Sequence, residues 1–423
     1  MHLLYPLIVL LSLVPIGLSA QYLLSAEELA QTQTYTDLEE ALANPTFVYI
    51  LDLRSQRLTD LKDIQKLEKL QILYLDGNEL TTLPDGLGKC SNLQILRANK
   101  NQIASLPRSF NKLKNLEEVY LRYNNITALP RGMERLVNLK LLDLSDNKIS
   151  SLPEVLTTLP ELQILEASYN SIINLPENLG ALPALWKLNV SGNPITSLPP
   201  NFDQLRTLEE LYLGDTKLLP SQILSFLQPL TSLLILDWSG LSIEGLPSSF
   251  AQLTALKRLN LTRAKMTVLP EAITQHQGLQ ELLLDQTSIT SLPESIGNMQ
   301  GLKQLYCKKG QLQSLPESLG QLQQLELLKI EYNQLQQLPE SLGQLTNLQG
   351  LHLQNNQLQS LPESLGQLQA LRLLEVPSNK IQRFPESIQQ LQQLTGLYLS
   401  KNPITREHLT QLRGWLPQTD VQY

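Results

Sequence analysis

Apolar and polar positions along most of this chain fall into a block that recurs every 23 residues. One block places Leu70, Leu73, Leu75, Asn78, Leu80, Leu83 and Pro84; the next places Leu93, Leu96, Ala98, Asn101, Ile103, Leu106 and Pro107. Two kinds of order share the block. In its first part alternate residues point to opposite sides of a strand. Around Val119 this turns Val119 and Leu121 inward and Glu118, Tyr120 and Arg122 outward. Ile126 and Leu129 then re-enter the core, and Pro130 opens a helical or extended turn where its missing N–H does no harm. Met133 and Leu136 pack from the far side. A single block cannot bury its own leucines, but neighbours stacked as parallel strands can. There are 16 blocks from Val48 to Ile404. Stacked at about 4.8 Å per strand they make a concave face on the order of 75 Å long.

The recurring asparagines, Asn78, Asn101, Asn124, Asn147, Asn170 and Asn193, stand where the chain leaves the strand. Backbone groups are buried there, and a side-chain amide both donates and accepts, so these residues read as skeleton rather than chemistry. The full pattern, L-x-x-L-x-L-x-x-N-x-L-x-x-L-P, resembles the leucine-rich repeat family in its 23-residue, LPxxL-type form. It is similar to units of Ras-group and of bacterial exported leucine-rich repeat proteins. The resemblance implies an α/β solenoid, a curved right-handed horseshoe with a parallel β-sheet on the concave face. Short helical or extended turns form the convex face. It also implies a non-enzymatic module that binds a protein or peptide, without saying which.

The two ends depart from the pattern. Residues 1–20 carry an apolar run, Leu3 to Leu18, with Ser19-Ala20 as a small-residue cleavage site, which resembles a secretory signal peptide. No Lys or Arg precedes the run, and an uncleaved anchor is the competing reading. Membrane association is expected only through this segment. Residues 21–47 form an N-terminal helical cap, with a helix from Thr36 to Ala43 and a capping box between Thr36 and Glu39. Residues 48–404 form the repeat domain. Residues 405–423 form a C-terminal cap, helical from Thr405 to Arg413 with Leu409 and Leu412 inward, ended by Gly414, and with a last strand at Val421. Such caps keep a solenoid soluble.

Composition excludes several classes. The net charge of −7 argues against nucleic-acid binding, which needs a basic footprint. Cys90 and Cys307 occupy core positions some 45 Å apart along the stack by strand spacing, too far to pair. His276 also takes a core Leu position and reads as packed. Nothing matches a phosphate loop, a metalloprotease helix or a nucleophile elbow, so no catalytic residue, metal ligand or cofactor is expected and the chain is read as no enzyme.

Five consecutive blocks replace the Asn, by Thr216, Leu241, Ala264, Thr287 and Gly310, and the same stretch holds a 25-residue block. Either another group satisfies the backbone there, or the break displays a functional irregularity. Residues 312–372 are nearly copied from block to block. Outward strand positions carry Tyr74, Tyr120, Tyr212, Tyr306 and Tyr398, with Tyr123, Tyr169 and Tyr332 at the strand exits. Tyrosine offers rigid contact area with a polar tip, which suits protein recognition; strand faces also favour it for its own sake. Charge is divided between an acidic earlier half (Glu117, Glu118, Glu166, Glu209, Glu210, Asp237) and a later basic group. The expected contacts are the tyrosine row with Arg258, Arg263, Lys303 and Lys308. Two alternatives stay open: an envelope protein that binds glycan or cell wall, and a cytoplasmic signalling scaffold of Ras-group type. Export to the periplasm, cell surface or medium goes with the first 20 residues; a cytoplasmic location is the alternative.

Overall fold

The structure is a computed structural model that describes residues 23–423 apart from Glu244 and Pro247. The expected signal segment, residues 1–20, lies outside the described residues. The described chain is a single parallel sheet of 18 short strands, each paired with the next in chain order. The 16 strands from Ile50–Asp52 to Gly396–Tyr398 are the 16 blocks. In register, Leu73 sits beside Leu96, Leu96 beside Val119 and Val119 beside Leu142, a step of 23 residues. The long block shows as the step from Leu211 to Leu236. Gly350–His352 is buried throughout, but most strands bury their middle residue and leave their flanks half-exposed, as at Glu118–Val119–Tyr120. That is the alternation a one-sided strand face requires.

On the convex side most blocks turn through 3-10 helices such as Asp85–Lys89 and Glu317–Gln321. A 23-residue circuit leaves room for one tight turn and little more. The longer block fits a true α-helix, Pro220–Leu227. Core layers run the length of the stack, from Leu51 to Leu399, with Trp238 entering where the adjacent strands carry Leu213 and Leu261.

The asparagine ladder is the skeleton the pattern implied. Asn124 donates through Nδ2 to Ala98 O and Leu121 O, both at 2.9 Å, and its Oδ1 accepts from Ile103 N at 3.0 Å. It thereby ties two consecutive repeats, its own and the one before it. Asn101, Asn147, Asn170 and Asn193 repeat the arrangement. Where Asn is missing, other groups take over its donor role. Thr216 and Thr287 donate through Oγ1 to Leu213 O and Leu284 O at 2.8 Å. At Leu241 and Ala264 the backbone N–H itself turns back to Trp238 O and Leu261 O.

The copied repeats have a structural reason. The Glu of one P-E-S-L-G turn accepts the Ser N–H of the next, Glu317 Oε2 from Ser341 N at 3.1 Å and Glu340 Oε2 from Ser364 N at 3.2 Å. The following glycine lets the turns close up: a Cβ at Gly320 would stand 2.4 Å from Ser341 O. Each turn is thus complementary to an identical neighbour.

The caps required three corrections. The helix expected from Thr36 spans Leu38–Ala43, and its cap is Asp37, whose side chain accepts from Glu40 N at 2.8 Å; no Thr36–Glu39 box forms. The capping box lies upstream instead, between Ser25 and Glu28 on a short helix at Ala26–Leu29, and an additional strand, Thr34–Tyr35, extends the sheet. Asp37, one residue on, stands at the cap position, and its carboxylate reaches a free N–H of the first turn. At the far end the helix starts after Thr405 as expected but runs through Gly414 to Trp415. Gly414 meets no steric need for a left-handed conformation there, while Trp415 packs edge-on to His408 at 5.8 Å. The last strand, Asp420–Gln422, contains Val421 as anticipated.

Candidate binding surface

The outward strand residues form two columns on the concave face. The tyrosines lie in the second column, half-buried, and most are held on both face and tip. The Arg97 guanidinium sits between the rings of Tyr74 and Tyr120, 5.8 and 4.5 Å from their centroids, and Arg54 covers Tyr74 from the other side at 5.1 Å. Lys187 lies 5.4 Å from the Tyr212 ring, and Lys308 and Lys329 lie 5.6 and 5.8 Å from Tyr306. Three hydroxyls donate to the residue two places earlier on the same strand: Tyr120 to Glu118 at 2.9 Å, Tyr212 to Glu210 at 3.0 Å and Tyr306 to Gln304 at 2.6 Å. Burial first, then the adjacent carboxylate, pushes the Tyr212 hydroxyl up to about 12 and raises Tyr120 in the same sense. Tyr398 stands at the end of the row beside Gly396, where a Cβ would come within 3.1 Å of its ring.

The basic candidates are distributed differently from the simple divide in charge. Arg258 pairs with Glu281 at 3.4 Å, Lys308 with Asp285 at 3.3 Å, and Arg263 with Asp215 at 2.6 Å, two repeats away. The last pair passes over Gly240, whose φ of +72° and missing Cβ keep the path open. Lys187 bridges Glu166 and Glu210 at 3.1 and 3.3 Å. Among the described residues Lys303 has no ion pair. Arg258, Lys308, Arg263 and Lys187 are therefore balanced by acids of nearby strands, because residues one or two repeats apart are neighbours in space. Linear reading placed the like charges but missed these partners.

Two further features were weakly marked in the sequence. Tyr123, Tyr169 and Tyr332 are 47, 53 and 52% exposed, more than any tyrosine of the row. Each has positive φ, 57, 52 and 58°, a conformation that costs a bulky residue energy. The second feature lies in the copied repeats, where His352 Nδ1 meets Glu375 Oε2 at 2.7 Å beside the buried Glu331. Burial raises the Glu331 carboxyl, with His352, Lys308 and Lys329 acting against it. Both cysteines and His276 are buried in the core; His276 Nε2 meets Leu253 O at 2.6 Å. Among the described residues no three His, Cys, Asp or Glu side chains are grouped to hold a metal, and no helix is long and apolar enough to cross a membrane.

A model for a leucine-rich repeat region matches residues 32–169, and two leucine-rich repeat models match residues 346–404 and 184–205. A leucine-rich repeat protein of Leptospira interrogans is 34% identical with a TM-score of 0.83; the match covers 93% of this chain and 100% of that one. A TDR receptor is 26% identical with a TM-score of 0.60, over 88% of this chain and 71% of the receptor. The ectodomain of the Arabidopsis thaliana membrane receptor kinase GASSHO1/SCHENGEN3, solved in complex with Casparian strip integrity factor 2, is 26% identical with a TM-score of 0.54. That match covers 90% of this chain and 56% of the ectodomain. No curated protein matches the chain.

Proposed function

Because this chain belongs to the leucine-rich repeat family, we propose that it is a non-enzymatic interaction module that holds a protein or peptide on its concave face. The observation that carries this reading is the preset tyrosine row. Tyr74, Tyr120, Tyr212 and Tyr306 keep part of their surface open while neighbouring cations hold their rings. Side chains already fixed lose little freedom when a partner arrives. The receptor ectodomain solved with its factor supports the kind of partner. Lys303, without an ion pair among the described residues, is the basic candidate free to meet an acidic group; Arg258, Arg263 and Lys308 would have to exchange a partner first.

We also propose that residues 1–20 direct export, that 21–47 and 405–423 cap the stack, and that 48–404 is the recognition domain. The test is a pull-down from the producing cell's surroundings with the full chain and with a Tyr212→Ala, Tyr306→Ala variant. Loss of the captured partner with unchanged unfolding temperature supports the reading; equal capture by both proteins refutes it.

A further inference from the structure

The convex turns carry a second charged surface, and unlike the concave one it is not balanced from within. Lys89, Lys112 and Arg135 are the last residues of three successive 3-10 helices, Asp85–Lys89, Arg108–Lys112 and Met133–Arg135. Arg108 and Arg131 each follow the proline of their turn, and Lys114 lies just beyond. All six are exposed, and none has an ion pair or a ring contact among the described residues. The acids in these turns are Asp85 and Glu134. The patch is cationic on a chain whose net charge is −7.

The fold itself does not need these cations. At the position of Lys89, Lys112 and Arg135, later turns carry Gln321, Gln344, Gln367 and Gln390. At the position of Arg108 and Arg131, they carry Glu294, Glu317, Glu340 and Glu363. An acid there suits the start of a helical turn and, in the copied repeats, also accepts the next turn's N–H. An arginine opposes the first effect and cannot supply the second. Arg108 and Arg131 thus break a local rule that the same chain keeps elsewhere, without compensation inside the fold. Between them lies an open groove of about 750 Å³, with Ser105, Asn111, Leu129 and Pro130 in its walls.

We propose that this convex patch binds an acidic polysaccharide, a linear chain with a carboxylate or sulfate on its sugar rings. The cations recur once per repeat, and the turns pack closely: a Cβ at Gly88 would stand 2.6 Å from the Ser109 backbone O. The cations therefore follow one another from turn to turn, a run that a linear polymer with regularly placed anionic groups can follow. The groove's own side chains, Ser105 and Asn111 beside Arg108 and Arg131, favour rings that carry hydroxyl as well as acid groups over an acidic peptide, whose side chains offer carboxylate alone. A flat anionic membrane would touch a convex column at few points and finds little to insert, Val137 being the exposed apolar side chain on these turns. The arginine forks and the Ser105 and Asn111 side chains match carboxylate and hydroxyl groups.

The test uses the full chain and a variant that carries the later repeats' own residues: Lys89→Gln, Arg108→Glu, Lys112→Gln, Arg131→Glu, Arg135→Gln. Binding to polygalacturonate and to heparin is measured by calorimetry at about 0.15 M salt. The expected result is binding by the parent and a loss of at least about tenfold in the variant, with a flatter salt dependence. A control that removes three distant cations, Arg383→Gln, Lys401→Gln and Arg413→Gln, keeps the parent affinity. The proposal is overturned if the parent binds neither polymer, or if the control loses as much as the variant. It is also overturned if polyglutamate or phosphatidylglycerol vesicles bind as tightly as the polysaccharides. Far-ultraviolet circular dichroism of the variant checks that the stack is intact; if it is not, Arg108→Gln with Arg131→Gln replaces it, with the same direction expected.

Discussion

Replacing Asn124 by alanine isolates what one rung of the asparagine ladder contributes. Its three hydrogen bonds do not count equally. Ala98 O also accepts from Asn101 Nδ2 at 3.2 Å, and Leu121 O from Asn147 Nδ2 at 2.9 Å, so each carbonyl keeps a donor. The Ile103 N–H, which Asn124 Oδ1 alone accepts at 3.0 Å, is left buried and unpaired. An orphaned buried donor costs roughly 1–3 kcal/mol, and the two weakened carbonyls add about 0.5 kcal/mol each, so the expected destabilisation is about 2–4 kcal/mol. Asn124→Thr should recover only about 0.5 kcal/mol of this, because a Thr hydroxyl in that place donates to one strand carbonyl, as Thr216 does, and leaves the Ile103 N–H unpaired. Urea unfolding with a check on the slope gives the energy, and amide exchange at Ile103 gives the location; long repeat arrays need both. A loss below about 0.5 kcal/mol, or unchanged protection at Ile103, would refute the reasoning that this amide satisfies an otherwise orphaned group.

The remaining expectations are more local. Burial pushes the Cys90 thiol up to about 12 and raises Cys307 as well, so neither should react with a thiol reagent in the folded chain near pH 8, while both react after unfolding. Tyr212, raised to about 12 against an ordinary value near 10, binds its proton more tightly folded than unfolded. Its contribution to stability is therefore whole below pH ~10 and lost as pH rises toward ~12. Unfolding followed across that window should show a smaller decline in Tyr212→Phe; an identical decline would show that Tyr212 is not the group responsible. Gly240→Ala forces φ +72° on a residue with a Cβ, 2.2 Å from Asp215 Oδ1, and should cost about 1–2 kcal/mol while breaking the Arg263–Asp215 pair. An unfolding temperature within error of the parent would contradict that.

The repeat made most of the architecture legible. A period of 23 with leucines at constant offsets leaves few ways to bury them, so strand positions, inward faces and the role of the asparagines could be read directly. The caps were harder, since capping depends on which short side chain reaches a free N–H, and Asp37 and Thr36 are adjacent candidates. The tyrosine row was visible as a pattern. Its restraint by Arg54, Arg97, Lys187 and Lys308 was not, because those contacts come mostly from a neighbouring repeat.

The sequence by itself determined the solenoid, its number of repeats and the residues each repeat shows to core and solvent. Those follow from periodicity within a single block, a short-range property of the chain. Only the tertiary structure decided which charges are free. Stacking brings residues 23 apart in sequence side by side, so concave cations find acids and aromatic rings on adjacent strands. On the early convex turns the adjacent repeats offer further cations instead, and Arg108, Lys112, Arg131 and Arg135 remain open to a partner.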